Sequence, residues 1–149
     1  MLNLSYNKIN FESISNLYRC RNLRTLDLAA NNLETLPGDI FHLESLEELN
    51  LSSNYFSSVP TSGNPATLFK ALGQISRLKR LNLSRNKFFA FHSEFLDPFK
   101  DFAQLQELDF SFNMVENEHN MWFVTMARSV NSVNITGNPF ATTSVRSIG

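Results

Sequence analysis

The side chains that could carry out catalysis are few and far apart in this chain of 149 residues. Its three histidines, His42, His92 and His119, could serve as general bases or metal ligands only if the fold brought them together. They lie in three separate segments, and no G-x-x-x-x-G-K phosphate-binding loop accompanies them. Cys20 is the single cysteine and has no obvious base partner. We therefore expect no enzymatic activity, no metal site and no cofactor.

A short pattern of aliphatic residues and one asparagine recurs along the chain. Its clearest copy, residues 23–33, reads L-x-x-L-x-L-x-x-N-x-L. The alternation of Leu26 and Leu28 predicts a short strand with one buried side. The asparagine that follows, Asn31, can bond to backbone groups that lack a strand partner. Five further copies, some of them degenerate, place their asparagines 23 to 32 residues apart, at Asn7, Asn54, Asn86, Asn113 and Asn138.

This spacing resembles that of the leucine-rich-repeat superfamily over nearly the whole chain. The resemblance implies an α/β fold, a leucine-rich-repeat solenoid. Such a solenoid is a curved right-handed superhelix with parallel strands on the concave face and mixed helices and turns on the convex face. We expect residues 1–149 to form a single domain of about six repeats. Met1 falls inside the first strand and little chain follows the last asparagine, so we expect incomplete capping, as in a fragment or shortened product.

The segments that return the chain between strands carry apolar columns of their own. The residue three positions before the first aliphatic residue of each complete repeat is apolar in every case. This column predicts a convex-side core, in which Cys20 would be a small buried hydrophobe. In the long third repeat, Leu68, Leu72 and Ile75 share one face at helical spacing. They predict a helix with Asn64 as its N-cap and Pro65 as its first residue.

Two later segments are also rich in apolar residues. Residues 117–129 predict a similar helix in the fifth repeat, with Trp122 and Met126 one turn apart. The fourth repeat carries six phenylalanines, which favour a stacked aromatic core over a ligand pocket: Phe88, Phe89, Phe91, Phe95, Phe99 and Phe102.

Parallel neighbouring strands place matching residues side by side, about 4.8 Å apart, so exposed positions form columns across the concave face. One column puts Arg80 between two glutamates. It either lowers charge repulsion by cross-strand pairing or forms a basic stripe with acidic shoulders that orients a charged partner. A second column carries aromatic residues and arginine, which commonly anchor interfaces. The candidate protein-binding residues are Tyr6, Glu48, Arg80, Arg85, Glu107 and Phe112.

A third column of this face is polar throughout, with Asp or Asn in every repeat. Such residues are common at this place in the repeat, which favours a structural role over a binding site. The four Asn-x-Ser/Thr sequons in the chain begin at these positions and are by-products of the repeat, so they do not argue for secretion. The column contains Asn3, Asp27, Asn50, Asn82, Asp109 and Asn134.

A formal net charge of −1 gives no overall attraction to nucleic acid or to an anionic membrane. We expect a protein or peptide partner on the concave face, with no nucleic acid and no membrane. A single cysteine cannot form an internal disulfide, which favours a reducing compartment. The alternatives are an extracellular receptor or adhesion fragment, with glycans on Asn50 or Asn82, and a shortened product without independent function.

A narrower resemblance lies in residues 5–37, 72–88 and 133–147. These segments resemble the X-ray radiation resistance-associated family. The resemblance implies a protein of the cytoplasm, the nucleus or both, linked to the cellular response to ionising radiation. It implies no defined enzymatic activity and supplies no site residues.

Overall fold

Six short strands form one parallel sheet in chain order. The structure is a computed structural model that describes residues 1–58, 65–90, 102–121 and 127–141, with only the backbone of 65–67 described. Each strand pairs with the next in the register that the repeat predicts. The parallel-stranded α/β solenoid is therefore confirmed. The strands are β1 (Leu2–Asn3), β2 (Thr25–Asp27), β3 (Glu48–Asn50), β4 (Arg80–Asn82), β5 (Glu107–Asp109) and β6 (Ser132–Asn134).

The returning segments are short helices and turns, as expected for the convex side. The first holds α1 (Phe11–Ser15), which begins where the side chain of Asn10 accepts a hydrogen bond from the amide of Ser13. 3-10 helices follow at Asn16–Arg19 and Gly38–His42. A further 3-10 turn covers 118–121. Of the rest of the helix predicted over 117–129, residues 117 and 127–129 are not helical, and residues 122–126, with Trp122 and Met126, lie outside the described residues.

The helix predicted in the third repeat is confirmed as α2 (Pro65–Gly73). Pro65 is its first residue, where the missing amide hydrogen has no consequence because first-turn amides lack an intrahelical acceptor. Leu68, Leu72 and Ile75 are all buried in the core. The proposed N-cap, Asn64, lies outside the described residues.

An aromatic stack runs through the middle of the core. Phe69 of α2 lies 5.8 Å from Phe88, and Phe88 lies 5.2 Å from Phe110, measured between ring centroids. Phe88 and Phe102 are buried as predicted, but Phe89 is 40% exposed, so its assignment to the core is wrong. It directly follows Phe88, which is fully buried, but its own ring is partly open to solvent. Phe91, Phe95 and Phe99 lie outside the described residues.

The prediction that Cys20 is buried is also wrong, because Cys20 is exposed. The other four members of its column are buried: Leu43, Ile75, Phe102 and Ala127. Cys20 belongs to the first coil, which has no further coil on its outer side within the described chain. Leu17 and Leu23 on either side of it are only partly buried for the same reason.

Buried asparagines join successive coils. The Asn54 side-chain amide donates to the carbonyls of Leu28 and Leu51, both at 3.0 Å. Its Oδ1 accepts from the amides of Asn31 and Leu33, also at 3.0 Å. Each such residue thus satisfies backbone groups of two coils that no strand partner reaches. Asn31, Asn86, Asn113 and Asn138 repeat the same arrangement.

Candidate protein-binding surface

The charged column of the sheet face has the arrangement that the repeat alignment predicts. Strand register places Arg80 of β4 directly between Glu48 of β3 and Glu107 of β5. The guanidinium Nη1 donates to Glu48 Oε1 at 2.8 Å, and Nε lies 3.3 Å from Glu107 Oε1. Thr25 and Ser132 continue the column at its two ends. The three charged candidates of this face are therefore one contiguous cluster.

The two carboxylates hold Arg80 in its charged form. The hydrogen bond and charge of Glu107, followed by the charge of Glu48, raise the pKa of the Arg80 guanidinium above its ordinary value. This is the arrangement expected from cross-strand pairing. With Asp27 and Asp109 in the adjacent column, the described strands present four carboxylates against one guanidinium. Orientation of a charged partner by this column stays a prediction.

The neighbouring polar column closes the turn after each strand. In every coil the Oδ1 atom of its Asp or Asn accepts a hydrogen bond from the amide two residues further on, at 2.9 to 3.1 Å. These side chains are Asx turns, which support the backbone where the strand ends. The structural interpretation of this column is confirmed, and four sequon asparagines are among its members.

A column of left-handed backbone follows the strands and carries the second group of candidates. Its six residues have φ between 54° and 77°, a region that side chains other than Gly, Asn and Asp seldom adopt. The amides of the first five donate to the next coil, as Arg85 N does to Ser111 O at 2.9 Å and Phe112 N to Thr136 O at 2.7 Å. The column contains Tyr6, Ala30, Ser53, Arg85, Phe112 and Gly137.

Arg85 and Phe112 are brought together in this column. The guanidinium carbon of Arg85 lies 4.4 Å from the centroid of the Phe112 ring, within the range of a cation–π contact. The ring of Phe112 in turn lies over Gly137, where an added Cβ would come within 2.4 Å of Phe112 Cδ1. Gly137 therefore serves both the backbone conformation and the position of the ring.

Tyr6 is the one candidate that the fold sets apart. It occupies the same column, but Ala30 and Ser53 lie between it and Arg85. At about 4.8 Å per strand, roughly 14 Å separates the two backbone positions. The Tyr6 side chain is 84% exposed and belongs to neither cluster.

Three exposed residues that the sequence reasoning missed lie beside Arg85 and Phe112. Lys87 Nζ lies 4.4 Å from the centroid of the Tyr55 ring. Met114, at the matching position of the next coil, is 53% exposed. Each residue directly follows the buried asparagine of its repeat. Aligning that position across the repeats could have found this row, because aromatic, basic and apolar residues replace one another there.

The described titratable side chains form no catalytic cluster. His42 packs against Phe41, with 4.3 Å between ring centroids, and lies 6.1 Å from Tyr18. His119 lies in the fifth repeat, and His92 is outside the described residues. In the part of the chain that the structure describes, no three metal-binding side chains converge, and no helix is long and apolar enough to cross a membrane.

Comparison with known proteins returns the same repeat. Two family models, each described as a leucine-rich repeat, match residues 1–56 and residues 45–70 and 77–102, which together cover more than half of the chain. Tsukushi-A of Xenopus laevis is 43% identical over 86 residues, covering 58% of this chain and 23% of that protein. Toll-like receptor 10 of Bos taurus is 41% identical over 61 residues, covering 40% of this chain and 7% of that protein. The chain thus spans under a quarter of either relative.

Solved structures agree on the fold. An internalin from Listeria monocytogenes superposes with a TM-score of 0.64 at 18% sequence identity, over 90% of this chain and 34% of that one. At this identity the likeness concerns the fold alone. No relative in these comparisons bears the name of the X-ray radiation resistance-associated family.

Proposed function

We propose that this chain, which belongs to the leucine-rich-repeat family, is a non-enzymatic scaffold that binds a protein or peptide partner across the exposed face of its parallel sheet. The observation that carries the proposal is the column formed by Thr25, Glu48, Arg80, Glu107 and Ser132. These residues lie in register on paired strands. Binding therefore requires little ordering of the protein.

The shape of the face favours a macromolecular partner. The depression between Thr25, Glu48 and Arg80 is open, with a volume of about 240 Å³. Pockets for small molecules usually have a larger volume, roughly 300 to 1,000 Å³, and enclose most of the ligand. An extended ladder of exposed side chains instead suits a long contact with another polypeptide. Since carboxylates outnumber the guanidinium on this face, the complementary partner surface is basic.

The proposed location is the cytoplasm, the nucleus or both, with a link to the response to ionising radiation. The single cysteine and the resemblance to the radiation resistance-associated family support it. A second candidate is an extracellular receptor or adhesion fragment, favoured by the 41% identity to a protein named as a Toll-like receptor. The two differ in glycosylation, because only the second takes the chain through the secretory pathway, where Asn50 and Asn82 would meet the glycosylation enzymes.

Proximity labelling in intact cells, with and without irradiation, tests the proposal. A labelling ligase is fused to the parent chain and to two variants. Thr25→Arg places a large cation on the sheet face, and Ser76→Arg adds the same group at an exposed convex position. Labelling of the partner should fall at least about tenfold in Thr25→Arg, as for an interface change of about 1.4 kcal/mol. It should remain unchanged in Ser76→Arg.

Equal labelling by all three proteins would contradict binding at the sheet face, provided that their melting temperatures agree. The irradiation arm tests the biological link separately. A change in the labelled set after irradiation supports the radiation response, whereas identical sets contradict it.

A further inference from the structure

An exposed group of aromatic, basic and apolar side chains lies on the turns that follow β3, β4 and β5. We call it the rim patch; it consists of Tyr55, Arg85, Lys87, Phe112 and Met114. Tyr55, Phe112 and Met114 are large apolar side chains that are between 44% and 53% exposed. Arg85 and Lys87 are exposed cations, each 4.4 Å from the centroid of an aromatic ring. Apolar surface and positive charge therefore alternate across three coils.

The backbone beneath the rim patch is held in place. The amide of Tyr55 donates to Leu33 O at 2.7 Å, and those of Lys87 and Met114 donate to Phe56 O and Phe88 O, both at 2.8 Å. Gly137 supports the Phe112 ring from the next coil. Arginine and lysine normally sample many rotamers, but here an aromatic ring restrains each cation. A ligand would thus need to order less of this surface on binding.

Arg85 and Lys87 have no acidic partner among the described residues, unlike the two cations at β4, Lys79 and Arg80. Arg80 bonds to Glu48 and Glu107, and Lys79 lies 3.6 Å from Glu47. Within the described ranges neither Arg85 nor Lys87 lies within ion-pair distance of a carboxylate. Their charges are available to a carboxylate from outside. The sheet face beside them is acidic, so it would repel the same group.

We propose that the rim patch binds a short acidic segment of the partner, in which one or two carboxylates are flanked by aromatic or aliphatic side chains. The inference rests on the proposed function that this chain binds proteins. Carboxylates of the segment pair with Arg85 and Lys87, and its apolar side chains cover Phe112 and Met114. Three coils span about 10 Å, which three to four residues of extended peptide cover at about 3.3 Å each.

A peptide fits this charge distribution better than an anionic membrane or a nucleic acid does. A flat or long polyanion that reached the rim patch would also approach the carboxylates of Asp109, Glu107 and Glu116, which are close to it in the chain or the sheet. Repulsion there would offset the attraction at two cations. A peptide presents its carboxylates over a few ångströms and can leave the acidic face uncovered.

Fluorescence anisotropy with the purified full chain tests the inference. The probe is a labelled hexapeptide that carries two adjacent glutamates between two phenylalanines. A glutamine version and a lysine version of the probe are the matched ligands. The acidic probe should bind at least about tenfold more tightly than either, because only its carboxylates can pair with the two cations.

Two protein variants locate the binding. Arg85→Gln with Lys87→Gln should weaken the acidic probe at least about tenfold. Lys70→Gln with Arg77→Gln, which removes the same charge from exposed convex positions, should not. Melting temperatures of both variants establish that each is folded. Equal weakening by the two pairs, or equal binding of the acidic and glutamine probes, would overturn the inference.

Anionic vesicles containing phosphatidylserine and a single-stranded oligonucleotide serve as competing ligands. Binding of either one, without the acidic probe, overturns the peptide assignment. If the acidic probe does not bind the chain, but Thr25→Arg lowers partner labelling as proposed, the rim inference is wrong and the scaffold proposal stands. If the probe binds through Arg85 and Lys87, but Thr25→Arg leaves partner labelling unaltered, the rim inference stands and binding at the sheet face is wrong.

Discussion

Gly137 shows how one small residue positions a candidate binding side chain. It has φ of 77°, and the Phe112 ring occupies the space where a Cβ would lie. The ring in turn supports the guanidinium of Arg85. A residue with no apparent chemistry therefore determines where a cation of the rim patch is found.

Gly137→Ala should lower the free energy of unfolding by about 1 to 3 kcal/mol, because a side chain there is strained by the backbone and displaces the ring. Thermal or urea unfolding measures the change. Gly38→Ala is the matched control, since nothing lies within 4 Å of a Cβ at that position, and it should change stability by no more than about 1 kcal/mol. If both variants were as stable as the parent chain, the positioning role of Gly137 would be wrong.

In addition to strand pairing, the buried asparagines join one repeat to the next by hydrogen bonds. The Asn54 side chain bonds to three carbonyls and two amides, divided between its own coil and the preceding one. Asn7 occupies the matching place in the first coil, yet its exposed side chain donates to Leu4 and Ser5 of its own coil. The same motif residue therefore has unequal importance along the solenoid.

Asn54→Ala should destabilise the chain by at least about 2 kcal/mol, because it leaves several buried backbone groups without partners. Asn7→Ala should cost under about 1 kcal/mol, since water can replace its exposed hydrogen bonds. Urea denaturation of the two variants gives both numbers. Similar losses of stability in the two variants would show that the contribution of this asparagine does not depend on its burial between two coils.

At the scale of the whole molecule, the sheet face and the proposed location bear on each other. Asn50 and Asn82 are sequon residues on β3 and β4, beside Glu48 and Arg80. A glycan on either would cover the surface that we propose for the partner. The scaffold proposal therefore agrees with a location where these residues are not glycosylated.

We expect the chain, expressed in cells from its own gene, to migrate identically before and after treatment with an endoglycosidase. It should fractionate with the cytoplasm, the nucleus or both. A secreted glycoprotein in the same sample is the control for digestion. A mass shift that disappears in Asn50→Gln with Asn82→Gln would instead support the extracellular candidate.

Much of this architecture follows from the sequence alone, because a repeated local pattern determines a repeated local structure. The spacing of aliphatic residues predicts which side of each strand is buried. The recurring asparagine predicts where each coil turns, and alignment of the copies predicts that Arg80 lies between Glu48 and Glu107. The strand register is predictable because six copies of the pattern all give the same alignment.

Contacts that depend on position within the stack were decided only by the tertiary structure. Cys20 has a core pattern in the sequence but is exposed, because no described coil covers it on one side. Phe89 follows a core residue yet faces outward. The rim patch depends on side chains from successive coils meeting at turns whose left-handed backbone the aliphatic pattern does not encode. Periodicity specifies the face of a residue, but only stacking specifies its neighbours and its exposure.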